Sequence, residues 1–122
     1  MVVDHAKPRV VGDAARIDRV FHALADPTRR DIVRCTTQGE SSVSALARRY
    51  PMSFAAVQKH VAVLERAQLV TKHRRGREQL VRSNVSTLRD VHRELDELAT
   101  VWRDRLERFG EVLEEPTEGI RP

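Results

Sequence analysis

Cys35 is the chain's only cysteine, so no disulfide can form within one copy, which suits a reducing compartment. No apolar run approaches the ~18 residues that a membrane-spanning helix needs. The first residues, Met1–Arg9, are polar and broken by Pro8, and they lack the charged-then-apolar pattern of a secretory leader. A cytoplasmic protein is expected. No nucleophile–base pair, metal-ligand set or glycine-rich phosphate loop occurs either, so an enzyme is not expected. No internal repeat is visible.

What the chain does have is charge, unevenly placed. Residues 1–85 carry 16 Lys/Arg against 8 Asp/Glu, whereas residues 86–122 carry 6 against 10. A basic head on a more acidic body suits a polyanion partner, although a solvated charged surface would look the same by count alone. At 122 residues one domain is the natural reading, with a modest core that dimerisation would help.

Hydrophobic spacing and punctuation divide the chain. Residues 1–12 read as a loose tail. A first helix is expected from Asp13 to about Ala25, with Ile17, Val20, Phe21 and Leu24 on one face. Asp26-Pro27 then ends it and opens a second, Asp26 as N-cap and Pro27 in the first turn. That helix runs to about Thr37, with Ile32, Val33, Cys35 and Thr36 as core candidates. Gly39 is expected to stop it in a left-handed conformation.

A short third helix from about Ser42 turns Val43, Leu46 and Ala47 inward. Tyr50-Pro51-Met52 makes the turn, because proline disfavours a helical residue before it. Ser53 caps a fourth helix whose buried stripe is Val57, Val61 and Leu64, leaving Phe54, Gln58, Lys59 and Glu65 outside. Leu69–Arg74 and Gln79–Ser83 read as two strands around a tip at Arg75-Gly76-Arg77-Glu78, where Gly76 permits positive φ. Leu80 and Arg82 beside Val81 suggest a half-exposed ribbon.

A long fifth helix is expected over Ser86–Glu114. Leu88, Val91, Leu95, Leu98, Trp102, Leu106, Phe109 and Leu113 recur along it at steps of three and four. Such a stripe, joined by Ile17, Val20 and Phe21 of the first helix, is expected to pair with a second copy. Residues 114–122 read as a tail.

Two short helices around a turn, followed by a basic hairpin, form the layout of a winged helix-turn-helix. The first turns of its second helix would meet base edges in a major groove. Here these residues are Ser53, Phe54, Ala55, Gln58 and Lys59, with His60 close by. Gln58 suits a bidentate contact with adenine, and Phe54 or Ala55 a thymine methyl. Ser53 and Lys59 suit phosphates, which position without specifying. The hairpin adds Lys72, His73, Arg74, Arg75 and Arg77 for phosphate or minor groove, Arg75 and Arg77 foremost. Arg48 and Arg49 offer further backbone contacts. Phe54 and His60 could instead pack within the chain.

Five blocks, in order and at matching spacing, resemble the ArsR-type winged helix-turn-helix family over residues 14–113. They are Ala23-Leu-Ala-Asp-Pro-Thr-Arg-Arg30, Val43-Ser-Ala-Leu-Ala47, Ala56-Val-Gln-Lys-His-Val61, Leu64-Glu-Arg-Ala-Gln-Leu-Val70 and the wing. The resemblance implies a homodimeric bacterial transcription factor on operator DNA, commonly a repressor, often a sensor of metals, redox change or small molecules. Gln58 departs from the serine frequent there, and Cys35-Thr36 replaces a leucine-rich helix end.

The family's thiolate metal site would flank Val43, where this chain has Ser42 and Ser44. Hydroxyls are poor soft-metal ligands. Its second site begins with an Asp-x-His that Asp90-Val91-His92 matches, but continues at Arg103 and Leu106, neither of which ligates zinc. No cofactor or metal is therefore expected. Cys35 reads as a small core side chain, with redox sensing as the alternative.

The expectation is a mainly α fold with one hairpin, ordered α-α-α-α-β-β-α, with residues 13–113 forming a DNA-binding and dimerising domain. Its partners would be operator DNA and a second copy, with no membrane. The alternatives are a winged-helix module for protein interaction, lacking salt-dependent DNA affinity, or a sensor with a non-standard metal or redox site.

Overall fold

In the computed structural model, which describes the backbone of residues 14–117 and the side chains of residues 14–111, the chain breaks at Asp26-Pro27. Helix α1 covers 14–24 and α2 covers Pro27–Gln38. The expected tail over 1–12, and Asp13, lie outside the described residues. The junction is braced from both sides. Asp26 accepts the Arg29 backbone N–H at 3.0 Å, capping α2. The Arg29 guanidinium reaches back to the carbonyls of Ala23 (2.7 Å) and His22 (3.2 Å), and that of Arg30 to Leu24 (2.7 Å). Thus the last carbonyls of α1, which have no partner inside their helix, are satisfied by cations where the helix dipole favours them.

Gly39 ends α2 differently from expectation. Its φ of 174° and ψ of 152° are extended, and its N–H bonds the Cys35 carbonyl. No left-handed residue is needed because the chain runs straight into a strand, β1 (Ser41–Ser42), which is too short to show a period in sequence. Ser42 also caps helix α3 (Val43–Ala47), accepting from the Ala45 N–H at 3.0 Å.

Helix α4 (Phe54–Arg66) starts at Ser53, whose hydroxyl accepts the Ala56 N–H at 3.0 Å. Val57, Val61 and Leu64 are buried, as their spacing requires. Its end is a Schellman turn: Gln68 N–H bonds Glu65 O and Leu69 N–H bonds Leu64 O, each at 2.9 Å. Gln68 takes the left-handed φ of 63° there. Strands β2 (Val70–Arg75) and β3 (Glu78–Ser83) follow, and the antiparallel sheet has the order β1-β3-β2. Ser41 pairs with Val81, and Lys72 with Val81 from the other edge.

The half-exposed ribbon expected at β3 is corrected by this topology. β3 is the central strand, α2 and α3 pack on it, and Leu80 and Val81 are both buried. Helix α5 (Val85–Thr117) overruns its expected end, so the expected C-terminal tail begins inside a helix and its last residues, 118–122, lie outside the described part. Two compact units result, one ending at Leu88 and the other starting at Arg89. Among the described residues no helix is long and apolar enough to cross a membrane.

The apolar residues expected at a dimer interface divide by exposure. Val20 and Val91 are buried, a correction to their expected place at the interface, since neither leaves side-chain surface for a second copy. Ile17 and Leu88 are half-buried. Phe21, Leu95, Leu98, Trp102, Leu106 and Phe109 are exposed, and so is Val101.

Candidate nucleic-acid interface

Residues at the start of α4 stand in solvent. Ser53, Phe54, Ala55, Gln58 and Lys59 are all exposed, Phe54 with about half of its surface in solvent (47%). His60 faces the other way. Its Nδ1 lies 3.3 Å from Arg29 Nη1, and since a guanidinium only donates, the ring nitrogen accepts. The same nitrogen is 4.0 Å from the Asp26 carboxylate. His60 therefore ties α4 to the α1–α2 junction, two residues and about 200° of helix away from Gln58.

The wing closes tightly. Arg75 pairs with Glu78, leaving Gly76 and Arg77 as a two-residue turn, and Gly76 has φ 62° as expected. Strand alternation then sorts the basic side chains. Lys72, Arg74 and Arg77 line a groove of about 270 Å³ together with Phe54 and Gln58 of α4 and Ser44 of α3. Lys72 is steadied by Glu65 of α4, with Nζ 3.4 Å from Oε1. Arg74 and Arg77 have no ion-pair partner among the described residues. Recognition-helix amide, aromatic edge and three cations, against the one acid Glu78, thus line one recess whose excess of positive charge suits a polyanion bearing hydrogen-bonding edges.

His73 and Arg75 point to the opposite face of the wing, where a carboxylate that sequence reasoning missed gathers them. Glu40 Oε2 lies 3.0 Å from His73 Nε2 and 3.7 Å from Arg82 Nε, and its Oε1 lies 3.7 Å from Arg75 Nη2. Glu40 is an isolated acid after Gly39 in sequence. Only the pairing of β1 with β3 brings it beside the wing. Arg75, a foremost candidate for DNA, is placed here with Glu40 and not in the groove.

Arg49 likewise has an internal partner. With Tyr50 and Arg34 it converges on Asp31 of α2: Tyr50 Oη donates at 2.6 Å, Arg49 at 3.0 Å and Arg34 at 3.3 Å. These contacts, led by the Tyr50 hydroxyl, hold the Asp31 carboxyl below its ordinary range. Burial foremost, and then this bond, push Tyr50 up to about 12. Arg48 remains exposed. Cys35 Sγ is 3.8 Å from Asp31 Oδ2 and is half-buried, at the edge of the core rather than inside it.

The positions flanking Val43 have structural work or exposure instead of a shared ligand geometry: Ser42 caps α3, and Ser44 lines the groove. Asp90 accepts from Arg93 at 3.1 Å, and His92 is exposed. Among the described residues, no three His, Cys, Asp or Glu side chains gather as a metal site would require.

A short helix, a turn, an exposed second helix and a basic two-stranded wing beside it define a winged helix-turn-helix protein. Residues 24–73 match the helix-turn-helix domain family. The HTH-type transcriptional regulator Rv2034 of Mycobacterium tuberculosis is 33% identical over 97 residues, covering 80% of this chain and 88% of the relative. The transcriptional repressor SdpR of Bacillus subtilis is 28% identical over 74 residues, 61% of this chain and 82% of its own length. Among solved structures, an ArsR-like transcriptional regulator from Rhodococcus sp. RHA1 superposes with a TM-score of 0.69. It is 33% identical over 83% of this chain and 95% of its own. The homodimeric winged helix-turn-helix DNA-binding domain of Mb0332 from Mycobacterium bovis gives a TM-score of 0.60. It is 28% identical over 82% of this chain and 90% of its own. The chain belongs to the ArsR family of winged helix-turn-helix regulators, and its function is that of a DNA-binding transcriptional regulator.

Proposed function

We propose that the protein is a homodimeric repressor that binds an inverted-repeat operator without a thiolate metal site. The observation that carries this reading is the single recess where Gln58 and Phe54 of α4 stand beside Lys72, Arg74 and Arg77 of the wing. Gln58 would read a base, adenine best, through its paired donor and acceptor. Phe54 and Ala55 would meet a thymine methyl. Ser53, Lys59, Lys72, Arg74 and Arg77 would hold phosphates and so set the register. Repression is supported by the likeness to SdpR, named a repressor.

Dimerisation is supported by the apolar side chains that α5 leaves in solvent. Leu95, Leu98, Val101, Trp102, Leu106 and Phe109 are each half or more exposed, an expanse that soluble single chains rarely leave uncovered. A second copy is the partner that brings an equal stripe, and Mb0332, a relative in fold, is homodimeric. Ile17 and Phe21 of α1 add apolar surface of their own. Two copies of α4 would enter successive major grooves about 34 Å apart, hence an inverted repeat.

Two substitutions separate reading from holding. Gln58→Ala should relax preference at one base pair by about 1–3 kcal/mol, seen as a flattened position in a binding-site selection. Arg77→Ala should weaken all duplexes alike and reduce the salt slope by about 0.9. Unchanged base preference in the first and unchanged slope in the second would overturn these roles.

A further inference from the structure

The carboxylate of Glu40 has no part in building the recess, yet it lies against two guanidiniums and an imidazole of the wing's other face, those of Arg75, Arg82 and His73. Arg75 and Arg82 are 72% and 61% exposed while paired with it, so both guanidiniums are within reach of an outside phosphate. His73 makes the shortest of the three contacts, 3.0 Å, and anchors the carboxylate over the sheet. Register fixes the arrangement. Ser41 opposite Val81 sets Glu40 opposite Arg82, and His73 opposite Leu80 sets it on the same face.

We infer that Glu40 is a specificity-determining residue. It is an internal phosphate substitute that keeps Arg75 and Arg82 from adding to sequence-independent DNA binding. This rests on the reading of α4 and the groove side of the wing as the operator-binding surface. On an operator, base contacts fix the register, Arg74 and Arg77 meet phosphates, and Arg75 and Arg82 remain on Glu40. On other DNA no register is imposed, and any exposed cation left without a carboxylate partner would swing to a phosphate, strengthen binding and release a counterion. Exposed ion pairs are weak, so Glu40 penalises such contacts without locking the wing. A carboxylate at this point also repels the phosphate backbone, which matters more as a duplex lies further round the wing.

Removing the charge while keeping the shape tests this. Full-length wild type, Glu40→Gln and Glu40→Gln with Arg75→Ala and Arg82→Ala would be titrated with two duplexes between about 50 and 200 mM salt. One duplex has random sequence, and the other is the one enriched by selection with the wild type. Glu40→Gln should bind random duplex about 3- to 20-fold tighter, with a salt slope steeper by one to two phosphates' worth, about 0.9 each. The selected duplex should change less than twofold, so the ratio between the two falls. The triple variant should return to wild-type behaviour. Arg75→Ala with Arg82→Ala in the wild-type background, which leaves Glu40 untouched, should scarcely alter the slope. An unchanged slope in Glu40→Gln, weaker binding of both duplexes, or a marked slope loss in the Arg75/Arg82 double variant would overturn the inference. Wild type with no salt-dependent affinity for either duplex would instead remove the operator-surface reading on which it rests.

Discussion

Single side chains decide how α2 and the turn before α4 are held, and Asp31 is the most consequential. Tyr50, Arg49 and Arg34 all donate to it. The folded-state pKa of Asp31 lies below its ordinary 3.8, so its contribution to stability is complete above about pH 5 and is lost as pH falls through the folded value. Tyr50 is the opposite case. Its pKa is raised from 10.0 to about 12, so its contribution is complete below pH 10 and disappears between 10 and 12. Tyr50→Phe should cost about 1 kcal/mol at neutral pH. It should also remove most of the wild type's loss between pH 10 and 12, and let Asp31 titrate nearer its ordinary value. Denaturant midpoints measured across pH check all three, and a mutant with the wild-type alkaline decline would contradict them. Neither Asp31 nor Glu40 could be singled out in the sequence. Each is an isolated acid whose partners lie between 18 and 42 residues away, apart from the local Arg34 and Cys35 beside Asp31.

Elements were far more legible, because their signals are local. Asp26-Pro27 and Ser53 each predicted a cap that the hydrogen bonds contain, and Val57, Val61 and Leu64 predicted which side of α4 faces inward. Gly76 was anticipated at positive φ, and the failure lay in the left-handed residues that end helices. Gly39 looked like a helix stop and is extended, whereas Gln68 carries the left-handed turn without glycine to mark it. A Schellman turn is set by where the chain must go next, here into β2, and that demand outweighs residue preference. The pair gives an opposed prediction. Gln68→Gly should stabilise by about 0.5–1 kcal/mol, since it removes left-handed strain at an exposed site. Gly39→Ala, whose added methyl meets nothing within 4 Å, should be neutral or stabilising by up to about 1 kcal/mol. Thermal midpoints that fall in either variant would show that the cap argument is misplaced. The two-residue β1 was illegible because a strand that short has no period, and its pairing is also what makes β3 central.

At the scale of the whole molecule, the sequence disclosed the class of function, and half of the residues it proposed for DNA come together in the fold. Gln58, Phe54, Lys72, Arg74 and Arg77 were named in advance and line one recess. His60 and Arg75 were named too, but alternation on a helix and on a strand turns them to Asp26 and Arg29, and to Glu40. Counting basic residues along a hairpin cannot distinguish its two faces until the register is known. The stripe of α5 was legible as apolar, but burial of Val91 could not be separated from exposure of Leu95 by spacing alone. Trp102→Glu with Leu98→Glu should convert a dimer to a monomer at micromolar concentration while helix content is kept, as light scattering and circular dichroism would record. A dimer that persists would place the interface elsewhere. The most direct test of the central claim is selection of bound duplexes from a random DNA library with the purified, full-length protein. An inverted repeat with half-sites about one helical turn apart should be enriched and held at ~0.15 M salt. No enrichment, with only weak binding at that salt, would contradict it.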